Sequence, residues 1–152
     1  MTIEEAYDRY ASQLYHHALV LTRRSADAED AVQTAFVKVA SRLRAKAAIG
    51  DMESYLHTAV RGEALRIVGR RWRRRPETPL VAPVNGTSLE DAEAVGAALA
   101  ALPQEQREVV VLHVYEGMTF RRIGEVLGIP LDTAASRYRY AREKLKELLG
   151  GD

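Results

Sequence analysis

The sequence contains no cysteine, which excludes disulfides, thiolate metal sites and cysteine nucleophiles. Long apolar runs are also missing, so no segment approaches the length of a membrane span and no membrane insertion is expected. The N-terminus, MTIEEAYDRY, is too acidic and polar for a signal peptide. Because 47% of the 152 residues are hydrophobic and 28% are charged, we expect a folded, soluble protein, and the absence of cysteine fits a reducing cytoplasm.

A net charge of only +1 conceals an uneven distribution of charge along the chain. Residues 56–75 contain seven arginines and one acid, Glu63. Residues 76–106 contain five acids and neither lysine nor arginine. An arginine cluster with an interleaved tryptophan, Trp72, favours phosphate binding combined with base stacking. The alternative is a solubilising helix end, since cations also favour helix C-termini.

The segment 117–148 has the pattern of a helix-turn-helix. Thr119 is suited to cap a short helix, Gly128 to end it with a positive φ, and Asp132 to cap a second helix. Gly124 is small enough for the helices to approach closely. The second helix carries five cations: Arg137, Arg139, Arg142, Lys144 and Lys146. Such a helix fits the major groove of DNA, although an ordinary helical hairpin with a solvated charged face remains the alternative.

Capping residues predict five further helices and an all-α fold. The helix starts fall at Thr2, Asp27, Asp51, Ser88 and Pro103. Three of the five prolines lie in residues 76–87, which therefore form a Pro-rich linker. Two small helical domains result, 1–75 and 88–152, and the second contains the helix-turn-helix.

No constellation of catalytic or metal-binding residues appears in the sequence. His16 and His17 are adjacent, so on a helix they point about 100° apart and cannot share a metal ion. We interpret both as surface or boundary residues. With no Gly-rich phosphate loop or nucleophile motif, we expect no enzyme activity, no cofactor and no metal.

Two motifs in this order resemble a known family. The first is DAEDAVQTAF, residues 27–36, and the second combines ALPQEQREVVVL at 101–112, YEGMT at 115–119 and IGEVLGIP at 123–130. Together they cover nearly the whole chain and resemble the extracytoplasmic-function sigma factors, small bacterial initiation factors that have only the two core sigma regions. The resemblance implies a factor that binds core RNA polymerase and directs promoter-specific transcription initiation. It also implies an anti-sigma factor, of unknown identity, as a partner.

The resemblance also implies roles for individual residues. Those that match the polymerase-binding helix are Asp27, Asp30, Gln33, Phe36 and Val37. Those expected to engage and melt the minus-ten element are Arg61, Arg66, Arg70, Arg71, Trp72 and Arg73. Those expected to read the minus-thirty-five element are Arg121, Thr133, Ala135, Ser136, Arg137, Arg139 and Tyr140.

The chain departs from the family pattern at two DNA-reading positions. Gly62 stands where the family usually has asparagine, so an amide that could read a base edge is missing. The family's Thr-Val-Lys-Ser-Arg is Thr133-Ala134-Ala135-Ser136-Arg137 here, which removes one cation. We expect the recognised promoter to differ from the commonest one.

Three other functions are compatible with parts of the sequence. A free-standing helix-turn-helix regulator would bind DNA without polymerase, but it usually needs a dimer helix, and none is left over. An all-helical metal-dependent enzyme would need clustered ligands on facing helices. A protein-interaction adaptor would show no salt-dependent binding of DNA.

Overall fold

The structure is a computed structural model that describes residues 1–45, 49–70 and 88–150. Over these residues the chain forms seven α-helices and no strand, which confirms the predicted all-α fold. The helices are α1 (Ile3–Thr22), α2 (Ser25–Arg44), α3 (Met52–Arg70), α4 (Leu89–Ala101), α5 (Gln104–Val110), α6 (Phe120–Leu127) and α7 (Leu131–Leu148). A π-helical turn, Val111–Tyr115, continues α5. The predicted linker, 76–87, and the boundary at residue 75 lie outside the described residues.

Helices α1, α2 and α3 form the N-terminal unit around a core rich in small side chains. Buried alanines let the helix axes approach closely, and larger aliphatic side chains fill the remaining space. Leu14 and Leu56 are completely buried, and each contributes about 2 kcal/mol relative to exposure. The alanines of this core are Ala6, Ala18, Ala28, Ala31, Ala35 and Ala64.

Two predicted helix caps of this unit are confirmed and one is wrong. The Thr2 hydroxyl accepts from the Glu5 N–H at 3.1 Å, and Asp51 Oδ1 accepts from the Ser54 N–H at 3.2 Å. Helix α2, however, begins at Ser25, so Asp27 lies in its first turn and does not cap it. The reason is Arg23, whose left-handed φ of 59° turns the chain so sharply that the next helix starts at once.

Helices α4 to α7 form the C-terminal unit, in which α5 and its π-helical extension run through the core. Val109 and Leu112 are completely buried, whereas Val114 is 55% exposed. The Ser88 hydroxyl caps α4 by accepting from the Asp91 N–H at 3.0 Å, as predicted. Pro103 precedes α5 as its N-cap residue, one position before the predicted site.

Helices α6 and α7 confirm the predicted helix-turn-helix. The Thr119 hydroxyl caps α6 by accepting from the Arg122 N–H at 3.1 Å, and Gly128 ends α6 at a φ of 69°. Helix α7 begins at Leu131 after Pro130, so Asp132 lies in the first turn and is not the cap that we predicted. Proline has already fixed the backbone for helix entry, and a carboxylate in the first turn faces the positive end of the helix dipole.

Replacing Gly124 by alanine is expected to destabilise the C-terminal unit by roughly 1–3 kcal/mol. A Cβ at this position would lie 2.6 Å from the Ile129 carbonyl oxygen, so the backbone of the turn would have to move. Gly62→Ala is the matched control, because its Cβ would meet nothing within 4 Å. That control should raise stability by up to about 1 kcal/mol, since alanine is the better helix former. Urea denaturation measures both changes, and equal midpoints for the two variants would contradict the expectation.

The two units pack directly against each other, α5 against α1 and α6 against α3. Arg107 of α5 donates to the Val20 carbonyl oxygen of α1 at 3.1 Å. The same guanidinium donates to the carbonyl oxygens of Leu99 at 3.1 Å and Leu102 at 3.0 Å. Arg107 therefore donates to the C-terminal carbonyls of α4 and connects that helix end to the N-terminal unit.

Candidate polymerase and nucleic-acid interfaces

Helix α2 divides the five predicted polymerase-binding residues into a surface group and a buried group. Asp30, Gln33 and Val37 are exposed, Val37 to 65%, and their spacing of three and four places them on one face. Asp27 and Phe36 are only 3% and 7% exposed. Their side chains therefore offer almost no surface to a partner in this structure.

A shallow cleft between α1 and α2 adjoins this exposed face. Its lining includes Tyr7, Tyr15 and Glu29, none of which the sequence patterns assigned to an interface. Tyr7 is 52% exposed, and its ring centroid lies 5.1 Å from that of Phe36. In the sequence, Tyr7 has the helical spacing of the apolar face of α1, and spacing alone does not separate a buried tyrosine from one at the edge of that face.

The basic face of α3 is only partly available in this structure. Arg70 is exposed at the end of the helix. Arg66 is paired with Glu63, which is also hydrogen-bonded by Lys38. Burial favours the protonated form of Glu63, but the hydrogen bond from Lys38 and the charges of Arg66 and Lys38 lower its pKa overall. Arg71, Trp72 and Arg73 lie outside the described residues.

Arg61, the remaining predicted minus-ten residue, takes part in a contact between the two units. Its Nε donates to Glu108 Oε2 of α5 at 2.8 Å, and its side chain is 26% exposed. No local pattern in the sequence indicates this pairing, because 47 residues separate the partners.

The candidate DNA-reading surface of the helix-turn-helix is accessible. Arg121 of α6 and Arg139 and Tyr140 of α7 are exposed. The Arg139 guanidinium carbon lies 5.3 Å from the centre of the Tyr140 ring, a cation–π contact that orients both side chains. The half-buried residues of the set are Thr133, Ala135, Ser136 and Arg137.

Two neighbouring arginines of α6 have different environments. Arg121 points to solvent, whereas Arg122 crosses to the N-terminal unit. Arg122 donates from Nη2 to Glu53 Oε1 at 2.9 Å and is also paired with Asp51. Although burial opposes its charge, these carboxylates raise the pKa of Arg122. No sequence motif indicates this role for Arg122, and only the facing acids of the N-terminal unit reveal its contact.

His17, interpreted from the sequence as a surface or boundary residue, is completely buried at the contact between the units. Its Nε2 lies 2.6 Å from Glu108 Oε2, and its Nδ1 lies 2.9 Å from His57 Nδ1. His57 Nε2 lies 3.3 Å from Gln13 Oε1. We name His17, His57, Arg61 and Glu108 the interdomain cluster.

The interdomain cluster holds its charges in a specific arrangement. Burial, with the charges of His17 and Arg122, lowers the pKa of His57 from 6.5 to about 3. Burial favours protonated Glu108, but the hydrogen bonds and charges of His17 and Arg61 lower its pKa overall. With Glu108 ionised, His17 donates to it from Nε2, and the two imidazoles share a hydrogen bond between their Nδ1 atoms.

The low pKa of His57 predicts loss of stability in mild acid. The unfolded chain binds a proton at His57 below about pH 6.5 and the folded protein does not, so stability is complete above that pH. As the pH falls from 6.5 towards 3, the free energy of unfolding should drop by up to about 1.4 kcal/mol per pH unit. Partly exposed His16 acts in the opposite direction, because a hydrogen bond to Glu116 raises its pKa.

Urea denaturation of the wild type and His57→Asn at a series of pH values tests this prediction. Asparagine does not titrate, so the variant should be nearly insensitive to pH between about 6.5 and 5. A wild-type stability that stays constant over the same interval would contradict the account.

Comparisons with known proteins agree with this architecture. The sequence models of two families match the chain: Sigma-70 region 2 over residues 6–74, and Sigma-70, region 4 over residues 92–145. The first match covers α1, α2 and α3, and the second includes the helix-turn-helix. Within the described residues no group of three or more His, Asp or Glu side chains is arranged to hold a metal ion.

Individual relatives point to the same family. ECF RNA polymerase sigma factor SigM of Mycobacterium tuberculosis is 35% identical over 154 residues, which cover 97% of this chain and 76% of that protein. ECF RNA polymerase sigma factor SigE of Mycolicibacterium smegmatis is 31% identical over 157 residues. That alignment covers 96% of this chain and 61% of SigE.

Solved structures of similar fold include a sigma factor bound to an anti-sigma factor. The sigma factor RpoE, in complex with the anti-sigma factor NepR from Bartonella quintana, superposes with a TM-score of 0.77 at 25% identity. That match covers 98% of this chain and 97% of RpoE. CnrH, in complex with the cytosolic domain of CnrY, shares the fold at a TM-score of 0.72 and 24% identity, over 97% of this chain and 87% of CnrH. The chain belongs to the ECF sigma factors of RNA polymerase, the family that directs promoter-specific initiation of transcription.

Proposed function

We propose that this chain binds core RNA polymerase and directs it to promoters that carry two separated elements. The observation that supports this most strongly is the pairing, in one chain, of a Sigma-70 region 2 match and a Sigma-70, region 4 match. The arginine-bearing α3 and the cationic α7 supply one candidate DNA surface in each unit. Two weak contacts on one polymerase give tight binding, because the second becomes effectively intramolecular.

Each of the two units has its own role. Residues 1–75 bind polymerase and engage the minus-ten element, and residues 88–152 read the minus-thirty-five element. Residues 76–87 connect them across polymerase. The proposal includes no bond-making step and no cofactor, so the chain acts by positioning and not as an enzyme.

The polymerase contact is assigned to the exposed face of α2, namely Asp30, Gln33 and Val37. Val37 is a 65% exposed aliphatic side chain beside an acid and an amide, a combination suited to a small protein interface. Asp27 and Phe36 support this face from below, because both are buried. The adjoining Tyr7 extends the apolar part of the surface.

The minus-ten contact is assigned to the arginines of α3 with the arginines and Trp72 that follow. Capture of an unpaired base by stacking contributes about 1–3 kcal/mol per base, which offsets part of the cost of opening the duplex. Arg66 and Arg70 are suited to the backbone phosphates, and Gly62 beside them lacks an amide for base reading.

The minus-thirty-five contact is assigned to the start of α7 in the major groove. Thr133, Ser136 and Arg137 lie in its first two turns, where base edges come within reach. Ala135 is suited to contact a thymine methyl group. Arg121 on α6 and Arg139 on α7 are exposed and suited to the flanking phosphates.

The regulation of this chain is also part of the proposal. RpoE and CnrH, which share its fold, were solved with NepR and CnrY bound. We assign an anti-sigma factor to this chain as well and place its action in the cytoplasm.

In vitro transcription with purified bacterial core RNA polymerase and a pool of genomic DNA fragments tests the function. We expect specific transcripts that appear only when both the chain and core are present, with shared elements upstream of their starts. Specific DNA binding without core, and no new transcripts with it, would instead identify a free-standing regulator.

A further inference from the structure

Two groups of charged side chains join the units of this protein. One is the interdomain cluster, in which Glu108 of α5 enters the N-terminal unit. The other is Arg122 of α6, which reaches Asp51 and Glu53 next to the start of α3. Both groups hold the C-terminal unit against α3.

Arg61 belongs both to this contact and to the surface proposed for promoter DNA. Its Nε–H donates to Glu108 and is not free for a phosphate oxygen. One turn earlier on α3, the Thr58 hydroxyl donates to the Val126 carbonyl oxygen of α6 at 3.4 Å. The C-terminal unit therefore covers part of the α3 face on which Arg61 lies.

We propose that Glu108 is a latch that keeps the two units closed by occupying Arg61 and His17, and that promoter DNA competes with Glu108 for Arg61. That Glu108 holds the two units together follows from the contacts of this structure alone. That promoter DNA competes with Glu108 for Arg61 also rests on the proposed function of α3.

A carboxylate and a phosphate seek the same donors of a guanidinium, so Glu108 occupies Arg61 as DNA would. The Glu108 side chain is 1% exposed, and its charge is tolerated there only because Arg61 and His17 both donate to it. Removing the charge of Glu108 should therefore favour separation of the two units. Because closed molecules offer Arg61 without its Nε–H donor and with its side chain only 26% exposed, the closed fraction lowers the apparent affinity for DNA.

Acid should also release the latch. The groups that face one another at this contact are His17 on α1, His57 and Arg61 on α3, Glu108 on α5, and Arg122 on α6 with its partners Asp51 and Glu53. Protonating Glu108 removes the acceptor of Arg61 and His17, and protonating His57 places a cation in the buried contact beside His17. His16 and Glu116 oppose this, but the His16 side chain is 53% exposed and its effect is weaker.

The absence of cysteine makes a direct test straightforward, because two introduced cysteines can carry dyes without competing sites. Asp8→Cys and Lys146→Cys place the dyes at exposed positions on the two units. Glu108→Gln should lower energy transfer between them. It should also tighten binding of a short fluorescein-labelled DNA single strand of mixed sequence by about tenfold at low salt. Glu105→Gln, on the same helix but 69% exposed, should leave the energy transfer unchanged.

Equal energy transfer in wild type and Glu108→Gln would overturn the latch. Lower transfer with unchanged DNA affinity would overturn the competition for Arg61. Neither measurement includes polymerase, so both results are independent of whether the chain binds polymerase. If Glu108→Gln does not fold, the wild type is followed as the pH falls. Energy transfer that drops before the helical circular dichroism signal is lost supports the latch, and simultaneous loss of both contradicts it.

Discussion

The triple variant Asp30→Ala, Gln33→Ala and Val37→Ala is expected to bind core RNA polymerase at least about 30-fold more weakly than the wild type. All three side chains are exposed on one face of α2, and that face has no partner within the described residues of the chain. Truncating the central residues of a protein interface typically costs 2 kcal/mol or more, because packed and desolvated contacts are lost together. Competition against a fluorescently labelled wild-type chain for core polymerase measures the change.

Phe36→Ala provides the contrast for this prediction. Phe36 is 7% exposed and packs against Tyr7, so its truncation should lower the free energy of unfolding by about 3–5 kcal/mol. The triple surface variant should melt close to the wild type, because it removes little buried surface. A triple variant that binds core as well as the wild type would show that the polymerase contact lies elsewhere.

Reversing two charges at the helix-turn-helix, with Arg121→Glu and Arg139→Glu, is expected to weaken promoter-specific binding by the polymerase complex about 100-fold. Both side chains are exposed, one on α6 and one at the middle of α7. Each reversal removes a phosphate contact and puts a carboxylate against the DNA backbone, and a 100-fold loss corresponds to about 1.4 kcal/mol per reversal. Binding of core polymerase through α2 should not change.

Lys144→Glu and Lys146→Glu form the matched control for the reversal. They change the net charge by the same amount and are also exposed on α7, but near its C-terminal end. This control should weaken DNA binding only a few-fold, because it reduces long-range electrostatic attraction and removes no direct contact. Filter binding at several salt concentrations separates the effects, because the Arg121 and Arg139 reversal should also reduce the salt slope by about one per lost phosphate contact. Equal losses of DNA affinity for the two pairs of reversals would mean that α7 contributes only non-specific electrostatic attraction.

Local chemistry was sufficient to predict most of the helices. Thr2, Asp51, Ser88 and Thr119 cap helices as their sequence positions indicated, and Gly128 adopts the positive φ that a helix end requires. The wrong caps, Asp27 and Asp132, are favourable in the first turn as well as at the cap. Sequence alone does not distinguish these two positions when an arginine or a proline immediately upstream sets the helix start.

The contact between the units could not be predicted, because its partners are far apart in sequence. His17 lies 91 residues from Glu108, and Arg122 lies 69 residues from Glu53. On an isolated helix each of these polar residues looks like part of a solvated face. Only the packing of α5 and α6 against α1 and α3 shows that Glu108 and His17 are buried. The same packing explains why Arg61, predicted to engage the minus-ten element, is paired with Glu108 in this structure.

Co-elution of the wild-type chain with purified core RNA polymerase in size-exclusion chromatography, without DNA, tests the central claim most directly. We predict a stoichiometric complex that survives dilution to nanomolar concentration and is lost with the triple α2 variant. A wild-type chain that elutes apart from core while still binding DNA in a salt-dependent manner would contradict the account.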